Sequence, residues 1–127
     1  MILDSSAIIA IVLREPGWED LLARLAAEPA AVGAPTVVES GIVLTARIGR
    51  QARTILARFL QEAGLAIVPF GEEHWLAAID AYVRFGKGRH PADLSFGDCL
   101  TYAVARLADQ RLLFVGGDFS KTDLPSA

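Results

Sequence analysis

The chain has 127 residues, 53% of them hydrophobic, with 12 Lys and Arg against 15 Asp and Glu for a net charge of −3. That length predicts one domain, residues 1–127, able to bury a core but without room for a separate regulatory module. The acidic balance excludes a generally basic nucleic-acid binder. No apolar run approaches the ~18 residues of a membrane span, and a lone cysteine, Cys99, excludes an intrachain disulfide and points to the cytoplasm.

Met1 to Asp4 reads as a short buried strand ending in a carboxylate, with Ser5 and Ser6 placed to cap a helix running to Leu13. In open α/β sheets the ligand crevice lies outside the carboxyl ends of the strands, so Asp4 is either a functional acid there or a turn and capping acid. The first basic residue is Arg14, so the start has no signal-peptide n-region. Glu15-Pro16-Gly17 is a turn, and Trp18, Leu21, Leu22 and Leu25 recur at helical spacing up to Pro29. Ala30 to Ala34 fits a second strand. Pro35 and Thr36 start another helix, with Thr36 and Glu39 at capping-box spacing, and Gly49 ends it. A further helix over Arg50–Ala63 is expected to bury Ile55, Leu56, Phe59 and Leu60 before Gly64 stops it.

Leu65 to Pro69 is a continuous apolar run, the pattern of a parallel strand covered on both faces. From Glu72 to Phe85 a helix is predicted to pack through Trp75, Ala78, Tyr82 and Phe85, with His74 near its start in a surface or capping role rather than as a metal ligand. Gly86-Lys87-Gly88-Arg89-His90-Pro91 is a basic loop without the Gly-Lys-Ser/Thr order of a Walker-type phosphate loop. Ser95-Phe96-Gly97-Asp98 opens the last long helix, whose apolar positions are Phe96, Cys99, Leu100, Ala103 and Leu107. Leu112 to Val115 is a fourth strand, closed by Gly116-Gly117-Asp118. Strands alternating with helices predict an α/β fold, a three-layer α/β/α sandwich around a mainly parallel sheet.

Four acids fall at equivalent places: Asp4 after one strand, Glu39 and Asp98 in the opening turns of helices, and Asp118 just beyond the last strand. Two of them match the Ser/Thr-x-x-acid capping pattern, and acids near helix N-termini are favoured by the dipole in any case. Taken together, they also suit a hard cation, which takes oxygen ligands and keeps several waters. Fifteen acidic side chains less these four leaves eleven against twelve basic ones, so an acidic chain is still compatible with a phosphate-bearing substrate.

The opening Ile2-Leu3-Asp4-Ser5-Ser6-Ala7, the acid in Val38-Glu39-Ser40, the run from Gly86 through Ala92 to Asp98 and Cys99, and Leu113-Phe114-Val115-Gly116-Gly117-Asp118-Phe119 together resemble the PIN-domain ribonucleases, specifically VapC-type toxins of bacterial toxin-antitoxin pairs. The resemblance covers essentially the whole chain. It implies a PIN-like sandwich and a Mg²⁺-dependent endoribonuclease, with Mn²⁺ able to substitute, whose metal-binding acids fall on Asp4, Glu39, Asp98 and Asp118. Asp4 and Asp98 would be the primary ligands, with Glu39 orienting the metal or its water and Asp118 completing the cage. Members often carry two acids before the Phe, where this chain has Gly116 and Gly117, so Asp118 stands alone there. Asp93 and Asp123 are nearby reserves, the first read as loop.

Arg47, Arg50, Lys87 and Arg89 are read either as contacts to an RNA backbone or as solvated surface. The expected partners are an RNA substrate, a small antitoxin and a second copy of the chain, and a mean hydropathy of +0.39 agrees with apolar surface covered by a partner. No membrane association is expected. The same carboxylates leave open a DNA structure-specific nuclease, an inactive binding module, or a phosphorylated Asp4. The last would want Asp-x-Asp, and Ser6 occupies the third position.

Overall fold

In the computed structural model, which describes residues 1–127, four short strands form one parallel sheet. They are β1 (Ile2–Leu3), β2 (Ala31–Gly33), β3 (Ala66–Val68) and β4 (Leu112–Leu113), in the order β3-β2-β1-β4. Successive strand side chains point to opposite faces, and this alternation builds two cores. Leu3, Val32 and Leu113 enter one; Ile2 and Leu112 enter the other.

The first core is closed by α1 (Ser5–Val12), α2 (Trp18–Ala27), α3 (Ala34–Ile48) and α4 (Ala52–Glu62), which contribute Ile8, Leu21, Leu25, Leu44 and Leu56. The second is closed by α5 (Glu72–Phe85) and α6 (Phe96–Ala108) through Ala81, Phe85, Tyr102 and Val104. This is the expected three-layer α/β/α sandwich. The sheet order places β2 on one side of β1 and β4 on the other, so the winding reverses at β1, the place where open α/β sheets bind ligands beyond the strands' carboxyl ends. No helix is long and apolar enough to cross a membrane.

Several expectations need correction. β3 is an edge strand, and Ile67 is 52% exposed where full cover on both faces was expected. On α4, Leu56 and Ala52 are buried while Ile55 faces solvent. The buried stripe of α5 is Ala78, Ala81 and Phe85, and it meets Cys99 and Ala103 of α6. Small residues at that contact bring the helices close and leave Trp75 and Tyr82 on its exposed flank. On α6, Phe96 is 81% exposed, and Leu107 is also open.

The caps differ as well. Asp4, and not a serine, is the N-cap of α1. Helix α3 starts earlier than its Thr-x-x-Glu pattern implies, with Gly33 at the N-cap and Thr36 buried against the Thr101 hydroxyl at 3.0 Å. The helix gains nothing from a Thr36 cap because that hydroxyl satisfies a buried partner on α6 instead. Gly49, at φ +86°, ends α3 as expected, and His74 Nδ1 accepts a hydrogen bond from the Gly71 amide at 3.0 Å. The weakly patterned tail adds to the sheet edge: Ser126 pairs with Leu112, and the Ala127 amide donates to the Leu112 carbonyl at 2.9 Å.

Gly33 has an ordinary φ of −66°, so its role is steric. A Cβ there would stand 2.7 Å from Val104 Cγ2, in a side chain only 1% exposed. Gly33→Ala should therefore lower stability by about 1–3 kcal/mol through overpacking. Urea denaturation measures this, and an unchanged midpoint would contradict the close contact between β2 and α6.

Candidate active site

The chain leaves β1 at Asp4, whose amide extends the ladder by donating to the Leu113 carbonyl at 3.0 Å. Asp4 is 4% exposed. The Oδ2 atom accepts from the Ser6 amide at 3.1 Å and from the Ser6 hydroxyl at 2.6 Å, which caps α1. Ser6 Oγ in turn accepts from the Val115 amide at 2.9 Å, tying Asp4 to the segment that follows β4. Oδ1 is buried with no hydrogen-bond partner. Buried carboxylate oxygens nearly always have one, so this atom is the anomaly of the molecule.

Because α3 begins at Ala34, Glu39 lies beyond its first turn and has no capping role. Its half-buried carboxylate rests against Gly97, in the first turn of α6. Asp98 does form the expected capping box: Ser95 N–H donates to its Oδ2 at 2.9 Å, and Asp98 N–H donates to Ser95 Oγ at 3.2 Å. One oxygen of Asp98 serves the cap, so capping and ligation do not compete for the whole carboxylate. Asp118 is exposed, at the start of a 3₁₀ turn, Phe119–Lys121, and makes no side-chain cap. Buried Phe119, edge-on to Phe114 at 5.4 Å, anchors that turn.

Two of the sequence-predicted acids, Glu39 and Asp98, feel the negative charge of others in the set. Burial first, then the negative charges of Asp4 and Asp98, pushes the Glu39 carboxyl up, with the Ser5 side chain acting in the opposite sense. Asp98 is also raised, by burial above all and then by Asp4 and Asp118, against the hydrogen bonds from Ser95. Asp98 thus feels Asp4 and Asp118, and its own charge acts on Glu39. No basic side chain offsets either shift. As the side chains stand, no group of three or more Asp, Glu, His or Cys residues is arranged to hold one ion. The acids share an electrostatic neighbourhood and do not form a closed cage.

The reserves lie elsewhere. Asp93 accepts from the Gly88 amide at 3.1 Å inside its loop. Asp123 is held by the Tyr102 hydroxyl at 2.7 Å and by Arg84 at 3.2 Å, which fastens the tail to α5 and α6. Among the basic candidates, Arg47 pairs with Glu15 at 3.4 Å and Arg89 lies over the Tyr82 ring. The Cys99 thiol, buried and then opposed by Asp98, is pushed up to about 11, which removes it as a nucleophile. Sequence reasoning assigned no role to Ser6 beyond a cap and none to Gly97. The signals were their positions, two residues after Asp4 and one before Asp98.

The raised carboxyls bind protons more tightly in the folded than in the unfolded chain. Their contribution to stability is thus fully present below the ordinary carboxylate range and is lost as pH rises through the raised values. Asp98→Asn keeps an oxygen for the Ser95 amide and removes the charge. The variant should melt at or above the wild-type temperature at neutral pH without metal, and the difference should vanish in acid. Thermal scans across pH check this; a variant clearly less stable at neutral pH would show that the Asp98 charge stabilises the fold.

Comparison with known proteins identifies the family and the fold. The PIN domain family model matches residues 1–124. The chain is similar to Ribonuclease VapC36 of Mycobacterium tuberculosis, at 50% identity over 126 residues, 98% of this chain and 91% of the relative. Its fold is similar to the crystal structure of Mycobacterium tuberculosis VapC20, described as a Sarcin-Ricin loop cleaving toxin, with a TM-score of 0.81 at 18% identity over 99% and 97% of the two chains. It is also similar to a chain of a toxin-antitoxin complex from Klebsiella pneumoniae, with a TM-score of 0.70 at 18% identity over 96% and 92%. With the family model spanning nearly every residue and a relative half identical along the same length, this chain belongs to the PIN-domain family, among its VapC-type members.

Proposed function

We propose that the chain, acting as one domain in the cytoplasm, is a Mg²⁺-dependent endoribonuclease and the toxin of a toxin-antitoxin pair. The observation that carries this reading is the buried, unpartnered Oδ1 of Asp4 at the sheet's switch point, near Glu39 and Asp98, whose raised carboxyls no cation offsets. An all-carboxylate donor set suits Mg²⁺, with Mn²⁺ substituting. Asp4 and Asp98 would hold the ion, Glu39 would orient it or its water, and Asp118 would complete the set. A bound Mg²⁺ would supply Lewis-acid polarisation of the phosphate and activation of the attacking water.

The chain's own groups supply the rest. Ser6 and Ser95 fix one oxygen each of Asp4 and Asp98, so the remaining oxygens are oriented before substrate arrives. Lys87 and Arg89, on the loop leading into α6, would meet the RNA backbone. The relatives' names, ribonuclease VapC36 and a toxin-antitoxin complex, support the substrate class and the partner.

The partner surface has a physical basis. Exposed Phe96 separates two apolar grooves, one lined by Val38 and Ile42 and the other by Trp75, Ile79 and Tyr82. Contiguous exposed apolar surface of this kind marks an interaction site. A second copy and an antitoxin segment would cover it, the latter delivering an Arg or Lys to the carboxylates. Purified protein should cleave RNA with Mg²⁺ or Mn²⁺, stop in EDTA, and lose turnover in the Asp4→Ala variant. Undiminished cleavage in excess chelator would sink the metal chemistry.

A further inference from the structure

Neither capping nor core packing explains why residue 97 is glycine. It lies in the first turn of α6, where glycine is a poorer choice than alanine, and its backbone is outside the left-handed region that would demand glycine. Its missing side chain leaves room for one group. A Cβ built on Gly97 would overlap Oε2 of Glu39 and stand 2.7 Å from its Cδ and 2.9 Å from its Oε1. These three nearest atoms all belong to the same carboxylate group. The next residue along the helix is Asp98, whose charge Glu39 feels.

We propose that Gly97 is a positioning residue: its bare Cα is the floor on which the Glu39 carboxylate rests beside Asp98, and any side chain there lifts Glu39 out of the site. This rests on the assignment of Glu39 to the metal set made above. Steric exclusion does the work here. The atoms a methyl group would displace are the far end of a flexible side chain, so the fold can absorb the change while the carboxylate moves. The effects on folding and on the site are therefore expected to separate.

Four proteins test it: wild type, Gly97→Ala, Glu39→Ala and the double variant, each stripped of metal and titrated with Mn²⁺ by calorimetry, with melting temperatures recorded alongside. Gly97→Ala should melt no lower than wild type, because alanine favours the helix, and should bind Mn²⁺ at least about tenfold more weakly, the usual loss when a ligand's support is removed. In the Glu39→Ala background the same change should alter affinity by less than about twofold, because the group it acts through is gone. The proposal is overturned if Gly97→Ala binds Mn²⁺ like wild type, fails to fold, or weakens binding equally in both backgrounds. Wild-type affinity in Glu39→Ala alone would instead remove Glu39 from the metal set, and the positioning role of Gly97 with it.

Discussion

A carboxylate buried at the end of the central strand, satisfied through one oxygen and unsatisfied through the other, governs the arrangement around it. Asp4 cannot turn towards solvent, because Ser6 holds Oδ2 through both its amide and its hydroxyl. The same hydroxyl holds Val115, so the Asp4 carboxylate, the start of α1 and the exit of β4 form one hydrogen-bonded unit. Oδ1 is left buried without a partner, and the Asp4 charge is one of the causes, after burial, that raise the carboxyls of Glu39 and Asp98. Such a site is electrostatically unfavourable in isolation. A cation, either a divalent metal or a partner's basic side chain, relieves it, and both kinds of occupant in the proposed function draw on that one source of free energy.

The sheet topology explains why acids far apart in the sequence act on one another. Parallel strands joined by helices bring every strand's carboxyl end, and the start of the helix that follows, to one edge of the sheet. Asp4 follows β1, Glu39 sits in the helix after β2, and Asp118 follows β4. Asp98 is brought in by α6, which packs along the sheet and is pinned to α3 by the Thr36–Thr101 contact. Four of the fifteen acidic side chains are those assigned above to the proposed metal site. The remaining charges of the chain, eleven acidic against twelve basic, are nearly balanced, which is compatible with a phosphate-bearing substrate.

Much of this was legible in the sequence. The order of elements and the parallel sheet follow from apolar runs, helix spacing and glycine stops, because those signals are local; the four acids stand out only by their places after strands and near helix starts, and as metal ligands only through the resemblance. Long-range contacts were not legible. Thr36 has the spacing of a cap, yet its hydroxyl is used by Thr101, sixty-five residues away. Trp75 and Tyr82 sit on a helical stripe with Phe85, but the close α5–α6 contact runs through alanines and leaves the larger rings outside. Leu65 to Pro69 reads as a central strand, and only the sheet order reveals an edge. At the site, residue types named the acids, but the missing partner of Asp4 Oδ1 and the contact between Glu39 and Gly97 exist only in three dimensions.

The most direct test is crystallographic: crystals of the protein grown with Mn²⁺, with the ion located by its anomalous scattering. An Mn²⁺ ion should lie within about 2.0–2.2 Å of Asp4 Oδ1, with an Asp98 oxygen in the same coordination sphere. Mn²⁺ bound only at other surfaces, with Asp4 Oδ1 making no metal contact, would contradict the metal site and the nuclease chemistry built on it.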